Sequence, residues 1–273
     1  MDAAHFVEEA AARPGATERT PVVLLHSSGL SRRQWRRLAP LLTAEGFPVV
    51  LPDLVGHGDS PPLLPRQRAR HEDDIDWLGR LLEARGRMHL VGHSYGGLIA
   101  AIAAARAPER VRSLVLIEPV AFGMLAPSDV EAREELAAID FRWNEPFDAE
   151  RWLSVFVDYW SGPGAWAALR EEARAEFRRV GWAVHETVRT LVSDETPRAA
   201  YANVKAPVTL LFGERTTIAS RTVTARLAET FPRAEEHAIA GAGHMAPLTH
   251  AEQVNGLVRD ALLRADADRA PSH

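Results

Sequence analysis

The sequence predicts an α/β protein: a mostly parallel sheet with helices on both faces, interrupted by a helical insertion. Short, fully apolar runs bounded by turn residues alternate with helical patterns, the signature of strands buried on both faces. That alternation stops between about residues 122 and 200, where amphipathic stretches rich in tryptophan take over. The chain has 273 residues, 46% of them hydrophobic, enough for one large core or two modest ones.

Taken in order, Val22 to Leu25 is the first strong strand and runs into His26-Ser27-Ser28-Gly29. A helix is expected from about Arg32 to Glu45, stopped by Gly46. Phe47 to Leu51 is the next strand and leads into Asp53-Leu54-Val55-Gly56-His57-Gly58-Asp59-Ser60. His71 to Arg85 places Ile75, Leu78, Leu81 and Leu82 on one helical face. Met88 to Val91 is a strand, followed at once by Gly92-His93-Ser94-Tyr95-Gly96-Gly97 and the helix Leu98 to Arg106. Ser113 to Ile117 is another apolar strand, closed by Glu118-Pro119.

The insertion, expected over 121–200, divides a core made of 1–120 and 201–273. An insertion after the carboxyl end of a strand lies over the place where open α/β sheets bind ligands, as a lid would. Strand character returns at Val208 to Phe212 and weakly at Glu236 to Ala240. A last helix spans about Ala251 to Arg264, and Ala265 to His273 reads as a loose tail.

Composition excludes several classes of function. The net charge of -5 is spread along the chain, and no basic stretch suits nucleic acid or an anionic membrane. There is no cysteine, so disulfides, thiolate metal sites and cysteine nucleophiles are excluded. No apolar run approaches the ~20 residues of a membrane span, and the first twenty residues lack the apolar core of a signal peptide. A cytoplasmic protein is the expectation. All the basic residues but Lys205 are arginine, which reads as the base composition of a GC-rich, bacterial genome.

Gly92-x-Ser94-x-Gly96 between a strand and a helix is a nucleophile elbow. Such a turn strains the serine backbone and needs neighbours without side chains, which Gly92, Gly96 and Gly97 supply. It lifts the Ser94 hydroxyl above the sheet and turns the helix N-terminus toward it. His244, in Gly241-Ala242-Gly243-His244-Met245 after the last strand, is the candidate general base. The backbone amides of Ser28 and Tyr95 are the candidate oxyanion donors. His26 and His57 read as braces for their loops, and the His93 side chain is expected to point away from the serine. His5, His71, His89, His185, His237, His250 and His273 have no supporting pattern.

The His-x-x-Gly loop, Asp53-x-x-Gly56-x-Gly58-x-Ser60, Gly92 to Gly97 and Gly243-His244 occur in an order and spacing that resemble the α/β-hydrolase superfamily over about residues 20 to 265. The resemblance implies a core of eight-stranded type, a cap between the sixth and seventh strands, and hydrolysis without a cofactor. The segment before Val22 is short for two leading strands, so the first is expected to be missing.

One departure concerns the acid. Many members carry it in a Gly-x-x-Asp turn after the seventh strand, whereas this chain has Gly213-Glu214-Arg215-Thr216. Threonine cannot balance an imidazolium charge. Part of the superfamily places the acid after the sixth strand, and there this chain has Glu118; the stretch from Pro108 to Glu118 resembles haloalkane dehalogenases with glutamate at that point. Glu118 is therefore the assigned acid, with Glu214, Asp53 and Asp194 as successive alternatives.

The dehalogenase and epoxide-hydrolase branches attack with aspartate, and Ser94 argues against both. The resemblance and the residues together point to a serine hydrolase with a Ser94-His244-Glu118 triad and no metal. Its substrate is expected to be a small molecule, a small-to-medium, fairly hydrophobic carboxyl ester, thioester or lactone. Hydrolysis or lysis of a carbon–carbon bond with the same triad is the second reading. A non-catalytic binding protein on a degenerate fold is the third. Trp143, Trp152, Trp160, Trp166 and Trp182, with Phe141, Phe147, Phe156 and Tyr159, either line a pocket or pack the insertion against the core. Oligomeric state cannot be read from these patterns.

Overall fold

Seven strands form one sheet in the computed structural model, which describes residues 5–267 apart from Arg142, Asn144 and Glu145. They are β1 (Phe6–Ala10), β2 (Val22–Leu25), β3 (Val49–Asp53), β4 (Met88–His93), β5 (Val111–Ile117), β6 (Val208–Gly213) and β7 (Ala234–Ile239). Their spatial order is β1-β3-β2-β4-β5-β6-β7. β1 runs antiparallel to β3, and every other pairing is parallel. The helices before the insertion are α1 (Leu38–Ala44), α2 (His71–Arg85) and α3 (Tyr95–Arg106). The stretch between β5 and β6 holds α4 (Val130–Ala137), α5 (Ala149–Ser161), α6 (Ala165–Ala168), α7 (Glu171–Leu191) and α8 (Arg198–Tyr201). After β6 come α9 (Ile218–Thr230), α10 (Ala246–Thr249) and α11 (Ala251–Ala267).

The two-residue period of the strands sorts their side chains into two cores. Val23, Leu25, Leu90, Leu114, Leu116 and Leu210 face α2, α3 and α9. Val22, Leu24, Val91, Val115, Ile117 and Leu211 face α1 and α11. Each such buried side chain contributes about 1.5–3 kcal/mol relative to exposure. The central strands are thus apolar on both faces, which is why they read as continuous runs.

Among the described residues before Val22, the sheet holds a single leading strand, β1, in place of two. It has no apolar signal: Phe-Val-Glu-Glu-Ala is half-polar, and Phe6 is exposed. Its charges blunt the sheet edge, with Glu8 paired to Arg32 and Glu9 to Arg85. Two expectations are corrected. First, the helix expected from Arg32 splits into a 3-10 turn, Arg32–Trp35, and α1. Pro40 explains the break, because its ring clashes with the carbonyl of residue 36 in a continuous helix. Second, α11 runs on through Ala267, beyond the expected end. Buried Asp266 accepts a hydrogen bond from Thr20 Oγ1 at 2.8 Å, which ties this last turn down. His273 and the rest of the expected tail lie outside the described residues.

Candidate active site

The carboxyl ends of β2, β4, β5 and the loop after β7 converge on one side of the sheet. Ser94 sits between β4 and α3 with φ 54° and ψ −115°, a conformation costing a non-glycine residue on the order of 1–3 kcal/mol. Its amide donates to the Ile117 carbonyl at 2.9 Å, and its carbonyl accepts from the Leu98 amide at 3.1 Å. The glycines answer to distances. A Cβ on Gly96 would lie 2.5 Å from the Leu25 carbonyl oxygen, and one on Gly92 would lie 2.3 Å from the Gly96 oxygen.

His244 is 2% exposed. Its Nε2 lies 2.9 Å from Ser94 Oγ, and its Nδ1 lies 3.1 Å from Glu118 Oε2. With Nδ1–H donating to the carboxylate, Nε2 is left to accept the serine proton. Glu118 is fully buried just past β5 and also has a positive φ, 50°. Its amide donates to the Leu211 carbonyl at 2.9 Å. Its Oε1 accepts the Gly213 amide at 2.6 Å, and its Oε2 accepts the Thr216 hydroxyl. Burial pushes its carboxyl upward, but the His244 hydrogen bond and charge, with Thr216 and Gly213, hold it below the usual glutamate value.

Thr216, in the turn after β6 where the resemblance leads one to look for an acid, donates instead to the carboxylate that arrives from β5. That contact spans 98 residues and has no local signal. Glu214 is exposed and accepts the Gly241 amide at 3.0 Å. Asp53 is taken up by the Arg32 and Asp59 amides at 2.7 and 2.8 Å and by the Arg32 guanidinium. Asp194 accepts from the Thr196 hydroxyl at 2.7 Å. None of the three alternatives touches His244 among the described hydrogen bonds.

Ser28 and Ser94 line the same cavity. The amides of Ser28 and Tyr95 donate no hydrogen bond among the described residues, and the Tyr95 amide opens the first turn of α3. The Tyr95 phenol points elsewhere, donating to buried Asp74 at 2.6 Å. His26 Nε2 accepts the Leu54 amide at 3.0 Å and His57 Nε2 the Gly29 amide at 3.1 Å, so both brace the loops that carry them.

His93 makes no described contact with the Ser94 side chain and has a role the sequence does not show. Its Nε2–H donates to the His244 carbonyl at 2.9 Å, and its ring centroid is 5.2 Å from that of His244. It holds the loop of the base from the core side, across 151 residues of sequence. Burial keeps His26, His57, His89 and His93 below the ordinary histidine value, with His26 lowered to about 4 by burial and by His57. The unfolded chain then takes up protons first as the pH falls past about 6.5. This part of the stability is complete above that pH and is lost between about 6.5 and 4. Scanning calorimetry should show the melting temperature falling across that interval; a flat profile would contradict the assignment of neutral buried histidines.

Above Ser94 lies a cavity of about 360 Å³. Helices α4, α5 and α7 and the segments beside them wall it with Phe122, Phe141, Phe156, Tyr159, Trp160 and Leu191. No charged side chain lines it among the described residues. Trp152 instead packs with Phe141, Phe147 and His185, and Trp166 with Phe177. No group of three or more His, Asp or Glu side chains is placed to hold a metal ion among the described residues. No helix among them is long and apolar enough to cross a membrane.

Residues 20–251 match the model of the alpha/beta hydrolase fold family. The chain belongs to that family and is a hydrolase. It is 32% identical over 236 residues to a pimeloyl-[acyl-carrier protein] methyl ester esterase of Chromobacterium violaceum, covering 84% of this chain and 89% of the relative. It is 30% identical over 257 residues to 2-hydroxy-6-oxononadienedioate/2-hydroxy-6-oxononatrienedioate hydrolase 2 of Pseudomonas putida, covering 88% and 87%. A dihydrolipoyllysine-residue acetyltransferase component of the acetoin cleaving system from Pseudomonas putida is 29% identical over 86% of this chain, which spans only 61% of that relative. Among solved structures, a hydrolase from Pseudomonas aeruginosa superposes with a TM-score of 0.73 at 25% identity, covering 95% of this chain and 94% of the other.

Proposed function

We propose that this hydrolase cleaves a small-to-medium, uncharged and fairly hydrophobic carboxyl ester, thioester or lactone through an acyl-enzyme on Ser94. The reading rests on one observation: an unbroken hydrogen-bonded chain from Ser94 Oγ through His244 to Glu118, beneath a cavity whose described lining carries no charged side chain. Ser94 Oγ attacks the carbonyl carbon as His244 Nε2 takes its proton. Glu118 balances the imidazolium, and the Ser28 and Tyr95 amides receive the oxyanion. The intermediate collapses when the leaving oxygen or sulfur takes the proton back. Water, deprotonated by His244, then releases the acid and restores Ser94. Residues 121–200 act as a cap that supplies most of the cavity wall, over a core of 1–120 and 201–273.

Carbon–carbon bond hydrolysis is the second reading, favoured by the similarity to the Pseudomonas putida hydrolase. The compounds in that relative's name are dicarboxylates, and the described lining of the cavity offers such an anion no counter-charge. A panel separates the two. p-Nitrophenyl acetate and butyrate are expected to turn over, and a half-ester bearing a free carboxylate to be poor by at least about tenfold. A dead ester panel with acid released from a vinylogous 1,5-diketone would establish the second reading.

A further inference from the structure

We propose that Trp160, on helix α5, is a positioning residue for His244, an inference that rests on reading His244 as the base. Its ring lies stacked on the imidazole, with centroids 3.8 Å apart and planes 26° from parallel. His93 approaches the same imidazole at 5.2 Å, and the two ring nitrogens engage Ser94 and Glu118. The edge of the ring is thus tied by hydrogen bonds, but both leave in the ring plane and do not by themselves stop the ring rocking about the axis through its two nitrogens. A flat partner on the ring's face removes that freedom.

The contact also matters electronically. Acylation turns the imidazole into an imidazolium, and an indole face attracts a cation more strongly than any other side-chain ring. The stack therefore gains strength as the proton leaves Ser94. The indole is itself held in place: Phe122 lies parallel to it at 6.4 Å, and Tyr159 meets it edge-on at 4.6 Å. Tyr159 donates to Glu135 at 3.3 Å, and Glu135 accepts the Ala219 amide of α9 at 2.7 Å. A chain of contacts thus runs from the insertion to the base, so the geometry of His244 depends on how α5 is seated.

Trp160 also lines the cavity, and a mere wall predicts a different result from a positioning residue. The test measures kcat and KM for p-nitrophenyl butyrate and the second-order rate of inactivation by a fluorophosphonate, in wild type, Trp160→Phe and Trp160→Leu. Leucine should lower kcat and the inactivation rate together by about tenfold with KM within about twofold, and phenylalanine should stay within about threefold of wild type. A leucine variant changed only in KM, or a phenylalanine variant as impaired as leucine, would overturn the proposal. Melting temperatures report folding; if leucine misfolds, Trp160→Gln, which keeps length without a π face, is read by the same criteria. Wild-type labelling by the fluorophosphonate keeps failure of this inference distinct from failure of Ser94 as nucleophile.

Discussion

Replacing Ser94 by alanine is expected to lower turnover of a neutral ester on the order of 10⁵–10⁶-fold, with the fold intact. The nucleophile has no substitute within the hydrogen-bonded chain, because His244 and Glu118 can only move a proton that Ser94 or water provides. Alanine at position 94 meets the same positive φ as serine, so the turn loses one hydroxyl and gains no new clash. The melting temperature should accordingly change little. Residual activity should reflect the cavity and the two free amides alone. Loss of less than about tenfold would mean that another residue carries the attack.

Glu118→Gln is the second large effect, expected to cost about 10³–10⁴ in kcat. Glutamine fits the same space and can still accept the Gly213 amide. Its NH₂ group, however, would face the Thr216 hydroxyl and His244 Nδ1, where the carboxylate now accepts from both. His244 Nδ1 would then have to accept, and the ring proton would move to Nε2, facing Ser94. A base already carrying its proton cannot take another without a full positive charge that no carboxylate balances. Glu214→Gln should stay within about twofold, since Glu214 is exposed and bonded to a single loop amide. Steady-state kinetics on the two variants decides between them: a large loss at Glu214 with little at Glu118 would overturn the acid assignment.

The parts of this architecture legible from sequence are those whose physics is local. β4 and β5 announce themselves because a strand buried on both faces is mostly apolar, and the elbow because a Cβ at position 96 would lie 2.5 Å from the Leu25 carbonyl oxygen, so glycine is required there. β1 was illegible for the opposite reason: an edge strand carrying Glu8 and Glu9 has no apolar pattern to read. Pro40 lies in the first turn of α1, which is where a proline is tolerated, but the helical periodicity before it masks the break. Outside the motifs that carry Ser94, His244 and Glu118, contacts made across the fold leave no local trace. Thr216 reads as a missing acid and is placed instead as a donor to Glu118; nothing beside His93 in the sequence shows that its ring holds the His244 carbonyl. The stack of Trp160 on His244 belongs to the same kind, since the four-residue spacing of Trp152, Phe156 and Trp160 describes a helical face and says nothing of what that face meets.

The central claim, that Ser94 is a nucleophile activated by His244, is tested most directly by mass spectrometry of the protein after reaction with a fluorophosphonate. One covalent adduct per chain is expected, located on Ser94 by peptide mapping and absent from Ser94→Ala. A folded wild-type protein that takes up no adduct, or one that carries it on another residue, would contradict the account.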